Sequence, residues 1–268
     1  MRAVAQLVLA VVVVATTVAG RPAGVESTAI RLPINSDVES VAPVPGAVVG
    51  VAHPVVVTFR GPIANRPAAE HALGVTSEPA MTGRFEWLDN DVVQWVPDRY
   101  WPAHSIVKLS VAGRPTAFET GAAVVGVADI SDHTFTVTID GAGAESPIAL
   151  PAPHHLPHLG EEGVLLASMG RPEYPTPVGA YTVLGKDRTV VMDSSSVGIP
   201  IDHPDGYLLT VDYAVRFTRR GLFVHSAPWA VPSIGFENVS HGCISLIPAA
   251  AEWYFETVNV GDPVIVQE

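Results

Sequence analysis

Twenty-three glycines and twenty-four prolines punctuate this 268-residue chain. Glycine opens backbone conformations that other residues avoid, and proline ends helices and central strands. Breakers at this density leave room for short strands and turns rather than long helices. At roughly 100–200 residues per domain the length allows one or two domains. Hydrophobic residues make up 48% and charged residues 16%, which is too apolar for a disordered chain. The formal net charge of −12 argues against a broad electrostatic grip on nucleic acid or anionic lipid. Cys243 is the sole cysteine, so an internal disulfide and a Cys-rich zinc or iron–sulfur site are excluded.

The first twenty residues carry Arg2, an apolar run from Val8 to Val14, then Thr16, Thr17, Ala19 and Gly20 ahead of Arg21-Pro22. A short positive start, an apolar middle and a small-residue end read as a secretory signal peptide; the same stretch is also near the length of a membrane anchor. Either reading puts the remainder outside the cytoplasm. Residues 21–39 mix Pro, Gly, Ser, Thr and Asp without periodicity and read as a linker. Between 40 and 121 come short β-rich runs: Val48 to Val51, Val55 to Phe59, Phe85 to Trp87, Val92 to Val96 and Ile106 to Val111. Such runs, several alternating and divided by turn residues, predict an immunoglobulin-like β-sandwich with Trp87, Trp95 and Trp101 as core or inter-domain aromatics.

A second β-rich region, 122–268, includes Val124 to Val127, Thr134 to Ile139, Ala180 to Leu184, Thr189 to Met192 and Leu222 to His225. A short helix is expected from Pro248 to Val258, opened by its proline, with a last strand at Val264 to Val266. The chemistry-bearing residues gather in 221–247. His225 ends an apolar strand, and Ser240-His241-Gly242 leads directly into Cys243. A cysteine attacks as thiolate, and a neutral imidazole takes its proton. Two histidines suit that task on spacing alone: His241, which shares a face with the thiol in an extended segment, and His225 at a strand end. Gly242 lets a substrate approach the backbone, and the N–H groups of Gly242 and Cys243 suit an oxyanion. Ser226 is positioned to steady an imidazole through its carbonyl or hydroxyl.

The string Ser240-His241-Gly242-Cys243 after His225-Ser226-Ala227-Pro228-Trp229 resembles the signature of L,D-transpeptidases, the YkuD catalytic domain, and above all the mycobacterial type. In that type an immunoglobulin-like domain precedes the catalytic one. Ser168-Met169-Gly170, Thr176-Pro177-Val178-Gly179, Met192 to Ser195 and Gly206-Tyr207 match family landmarks in the same order. The resemblance implies Cys243 as nucleophile, His225 as general base and the Ser226 carbonyl as its orienter. It implies an oxyanion held by the N–H groups of Gly242 and Cys243 with the Tyr207 hydroxyl. Met192 and Trp229 would line the substrate path, and Ser240 and His241 would shape the pocket. The implied reaction joins peptidoglycan stem peptides: D-alanine leaves a tetrapeptide donor, and the diaminopimelate amine of a second stem accepts the acyl group in a 3→3 cross-link. It also implies a monomer without cofactor or metal, working in the periplasmic or cell-wall space and sensitive to carbapenems.

Three features depart from the pattern. Ser245 stands where this type has Asn and the wider family Arg, so a substrate-facing group there has one donor and less reach. Pro232 to Phe236 is unusually apolar for a lid over the site. Residues 151–160 hold His154, His155 and His158, but Pro153 and Pro157 oppose the helix that would align them as metal ligands. The competing readings are an L,D-carboxypeptidase that uses water as acceptor and a catalytically weak peptidoglycan-binding scaffold. An ordinary cysteine peptidase and a metal-dependent hydrolase rest on less.

Overall fold

The computed structural model describes residues 37–143 and 162–268. The signal or anchor segment 1–20, the linker up to residue 36, and His154, His155 and His158 lie outside the described residues. The fold is mainly β. The first strand starts at Val38, just inside the stretch expected to be linker.

Two four-stranded sheets make up the N-terminal part. One runs in the order Val38–Ala42, Val55–Phe59, Val92–Pro97, Gly83–Trp87, all antiparallel. The other runs Val48–Val49, Arg114–Thr120, Ile106–Val111, Thr76–Glu78. Alternation is the cause: Val55, Val57 and Phe59 turn inward, as do Val107, Leu109 and Val111, so the inner faces share one core. Trp95 and Trp101 are buried in it as expected, and the Trp101 indole donates to the His53 carbonyl at 2.9 Å. Trp87 is only half-buried, stacked on Phe59 with centroids 6.0 Å apart, and its indole donates to Glu70 at 2.6 Å. Glu70 belongs to a helix that the sequence reading missed, Arg66–Leu73, capped by Asn65 and closed by a left-handed Gly74.

In the C-terminal part, one sheet runs Ala142–Gly143, Thr134–Ile139, Val124–Asp129, Pro263–Gln267, Gly179–Thr182, with Val164–Leu166 also paired to Thr134–Ile139. A second sheet runs Gly185–Asp193, Leu208–Arg216, Phe223–Ser226, Ile244–Leu246. Its last pair is parallel, a geometry that needs a crossover, and residues 227–243 supply it. The helix Pro248–Thr257 matches expectation to within one residue, and Ala250, Ala251 and Tyr254 on its buried face join Phe135, Val224, Ile244 and Leu246 in the core.

Backbone bonds stitch the two parts together. Gly50 N–H donates to the Val260 carbonyl and Ala52 N–H to the Gly261 carbonyl, both at 2.8 Å. A Cβ on Gly50 would lie 2.1 Å from the Asp262 nitrogen, so only glycine permits this approach. The fully buried Asp262 carboxylate accepts from Asn259 N–H at 2.7 Å and from Val51 N–H at 3.3 Å. Burial nevertheless pushes its pKa up to about 6.

Candidate active site

The register of the parallel pair assembles the site. Val224 is opposite Ile244, and His225 is opposite Ser245. Side chains alternate between faces, so Cys243, two residues before Ser245, lies on the same face as His225 and Phe223. Val224, Ile244 and Leu246 point the other way, into the core. Cys243, like Met192, packs against a small buried cluster of Phe223, Val211 and Ala214. These apolar neighbours push the thiol up to about 11, although an N–H from Phe223 pulls the other way.

His225 is 4% exposed. Its Nδ1 lies 2.8 Å from the Ser226 carbonyl, which can only accept, so Nδ1 carries the proton and Nε2 is the acceptor nitrogen, with no hydrogen-bond partner among the described residues. The carbonyl, not the hydroxyl, is therefore Ser226's contribution. Burial holds the His225 pKa below its ordinary value despite this bond. Trp229, half exposed in the short turn Pro228–Ala230, stacks 6.1 Å from the His225 ring at 30°. Tyr207 is held by its backbone, which exchanges two 3.0 Å bonds with Ser194. Burial and its nearness to Cys243 and Asp193 raise its pKa, so its hydroxyl stays a donor.

The loop before Cys243 corrects several expectations. Gly242 N–H donates to Ser240 Oγ at 3.0 Å and is therefore occupied, not open to an oxyanion. Ser240 Oγ in turn donates to the Cys243 carbonyl at 2.7 Å, so this hydroxyl braces the loop instead of facing a ligand. Gly242 itself has φ +110, a conformation that L side chains rarely adopt. Ser245 is buried at 3% exposure, its backbone exchanging bonds of 3.0 and 2.8 Å with Ser168, one pair deeper than the thiol. The segment expected as an apolar lid is anchored by Ile234, which is buried against Leu166, Ala227 and Ala230.

His241 is held by partners the sequence reading did not single out. Arg171 Nη2 lies 3.1 Å from His241 Nε2 and also pairs with Asp205, and the Asp205 backbone hydrogen-bonds the same imidazole. Tyr174 and Tyr207 flank the ring at 4.8 and 4.9 Å. Desolvation, with the Arg171 charge second, keeps His241 neutral and its acceptor nitrogen engaged. Of the two histidines, only His225 keeps an acceptor ring nitrogen without a partner among the described residues, on the cysteine's face. Thr176, 2% exposed, accepts from Gly170 N–H at 2.9 Å and donates to the Gly242 carbonyl at 3.0 Å. Among the described residues no group of three or more His, Cys, Asp or Glu is arranged to hold a metal ion.

Two family models match the chain: a bacterial Ig domain over residues 15–114 and the L,D-transpeptidase catalytic domain, YkuD, over residues 125–266. A probable L,D-transpeptidase 3 of Mycobacterium tuberculosis is 65% identical over 271 residues, covering 100% of both chains. The crystal structure of L,D-transpeptidase 3 from Mycobacterium tuberculosis in complex with a faropenem-derived adduct superposes with a TM-score of 0.81 at 68% identity, covering 87% of this chain and 99% of that one. The LD transpeptidase LdtMt1 in complex with imipenem gives 0.77 at 50% identity, covering 88% and 100%. An end-to-end relative and a catalytic-domain model that spans more than half the residues lead to one conclusion: this chain belongs to the L,D-transpeptidase family, as an immunoglobulin-like domain followed by a YkuD catalytic domain.

Proposed function

We propose that this chain cross-links peptidoglycan stem peptides through a thioester on Cys243. The observation that carries the reading is the acceptor Nε2 of His225, set by the 2.8 Å bond of Nδ1 to the Ser226 carbonyl, on the face that also bears Cys243. With the thiol raised to about 11 and the imidazole lowered, both groups rest neutral. The proton then moves to His225 as sulfur attacks, instead of sitting beforehand in a thiolate–imidazolium pair.

The thiol attacks the carbonyl of the third stem residue and passes its proton to His225 Nε2. The developing oxyanion is met by the Cys243 N–H and the Tyr207 hydroxyl; Gly242 serves through its backbone bend. His225 returns the proton to the departing nitrogen of D-alanine, leaving the thioester. The diaminopimelate amine of a second stem attacks this thioester and gives its proton to His225, and the thiol is restored with a 3→3 amide formed. Exocytoplasmic placement belongs to the same reading, since the substrate is a wall polymer and residues 1–20 have the composition of an export signal. Acylation by carbapenems also belongs to it, supported by the relative captured with imipenem.

Mass spectrometry of the exported portion incubated with a disaccharide-tetrapeptide tests the reading, with Cys243→Ala beside it. D-alanine release and a dimer linked through third residues, both lost in the variant, are expected. Release without dimer identifies water as the acceptor. A folded protein with no release and no adduct on Cys243 overturns the reading in favour of a binding scaffold.

A further inference from the structure

A groove of about 710 Å³ opens beside the site, and three of its lining residues are arginines: Arg216, Arg219 and Arg220. Met192, Tyr207 and Phe223 line it as well, Phe223 directly paired with Arg216 across the two strands. Met192 and Cys243 pack against the same small cluster that contains Phe223, and Tyr207 lies near the thiol, so the groove adjoins it. The chain carries only 15 lysines and arginines against 27 acids, which makes three arginines in one groove a local reversal of sign.

The three play different parts. Arg216 is spent on structure: its Nε donates to the Thr218 carbonyl at 3.1 Å and its Nη2 to the Arg219 carbonyl at 2.7 Å. Those bonds, with Leu222 N–H on Thr218 Oγ1 at 2.9 Å, fix the tight turn at residues 218–221. Arg219 and Arg220 project from that turn, both exposed. Arg219 also borders the clefts between the sandwich and the catalytic domain, and Arg220 lines this groove. The groove carboxylate, Asp193, accepts from Ser195 N–H at 2.8 Å and stays ionised, one negative charge against three guanidinium groups.

A braced turn that holds two guanidinium groups over an apolar channel suits a ligand with an apolar stem and a carboxylate. We infer that Arg220, aided by Arg219, binds a free carboxylate of the donor stem peptide while its third-residue carbonyl lies at Cys243. This rests on the acyl-transfer reading above and deepens it, because it names charge on the donor as what the groove selects. Two sources fit: the terminal carboxylate of D-alanine and a carboxylate along the stem. Each is neutralised separately by amidation.

The test reads the acylation half-reaction without acceptor, as acyl-Cys243 and released D-alanine. It compares wild type with Arg220→Gln and Arg219→Gln/Arg220→Gln on free-acid, terminally amidated and stem-amidated donors. For the double variant a rise in KM of about five- to tenfold is expected on the donor that retains the relevant carboxylate, the size of a solvent-exposed charge-assisted pair. Little change is expected on the donor that lacks it. Arg220→Lys keeps the charge without the fork and should fall between. Raising salt from about 50 to about 500 mM should erase most of the wild-type preference, because these charges are exposed. Alkylation of Cys243 by iodoacetamide, a neutral reagent, should proceed equally in all variants and shows the site intact.

Equal effects on free-acid and amidated donors overturn the inference while acyl transfer stands. So does a loss confined to the later transfer onto an acceptor. If wild type forms no acyl-Cys243, the acyl-transfer reading fails first. Peptide binding to Cys243→Ala then decides the groove separately: a preference for the free acid supports the arginine site, and equal binding removes it.

Discussion

Thr176 donates its hydroxyl proton to the carbonyl of Gly242 across 3.0 Å, although 66 residues separate them. The same oxygen accepts from Gly170 N–H, so one buried hydroxyl ties the backbone before the cysteine to the strand edge behind it. Thr176→Val keeps the shape and leaves two buried backbone groups unpaired. A loss of about 1–3 kcal/mol in denaturant unfolding is expected, with a lower rate of Cys243 acylation. Thr176→Ser should recover most of both. If valine changes neither, Gly242 is held by other means.

Ser240 closes the loop from the opposite side, accepting from Gly242 N–H and donating to the Cys243 carbonyl. Ser240→Ala removes both bonds but leaves His225 untouched. Its acylation rate should fall about tenfold, with KM for the donor little changed, as suits a residue that positions the nucleophile. A variant altered mainly in KM would mean that this hydroxyl meets substrate after all.

The pH profile follows from the resting charges. His225 works neutral and its pKa lies below 6.5, so the acid limb of kcat/KM should fall below that value. Tyr207 is raised above its ordinary 10.0 and Cys243 to about 11, which puts the alkaline limb beyond neutral pH. His225→Gln should lower kcat/KM by about 10²–10⁴ and abolish the acid limb. An acid limb that persists in this variant would assign it to another group.

Asp262 gives a slope of the opposite sign to the usual carboxylate. Its folded pKa of about 6 exceeds the ordinary 3.8, so between those values the folded state binds the proton that the unfolded state releases. Its contribution to stability therefore grows as pH falls from 7 through 6 toward 3.8, by about 2–3 kcal/mol in full. Asp262→Asn cannot titrate. The stability of wild type relative to this variant should rise on acidification in urea titrations, and a flat difference would show that the carboxylate titrates normally.

How far the sequence carried depends on which force shaped each element. Val55–Phe59 and Ile106–Val111 were readable because burying one face of a strand imposes a period of two. Leu208–Arg216 escaped notice: its first three residues are exposed and burial sets in only from Val211. Arg66–Leu73 carried its start and stop signals in Asn65 and Gly74, but eight residues give too little periodicity. His225, Ser226 and Cys243 were recognisable as residue types in an ordered string. The clamp of Arg171 and Asp205 on His241 was not, because a contact between residues 34 apart leaves no mark on local pattern. Nor does composition tell whether the Gly242 N–H is free or already donated.

The strand Pro263–Gln267 lies between Val124–Asp129 and Gly179–Thr182, parallel to the first and antiparallel to the second. Synthesis delivers the two flanking strands long before the piece that joins them. Until residue 267 leaves the ribosome, Val124–Asp129 and Gly179–Thr182 each expose an open edge where the sheet should continue. The nascent catalytic domain therefore stays divided while most of its length is already made, and a chain halted shortly before residue 263 would hold every active-site residue without the scaffold that aligns them.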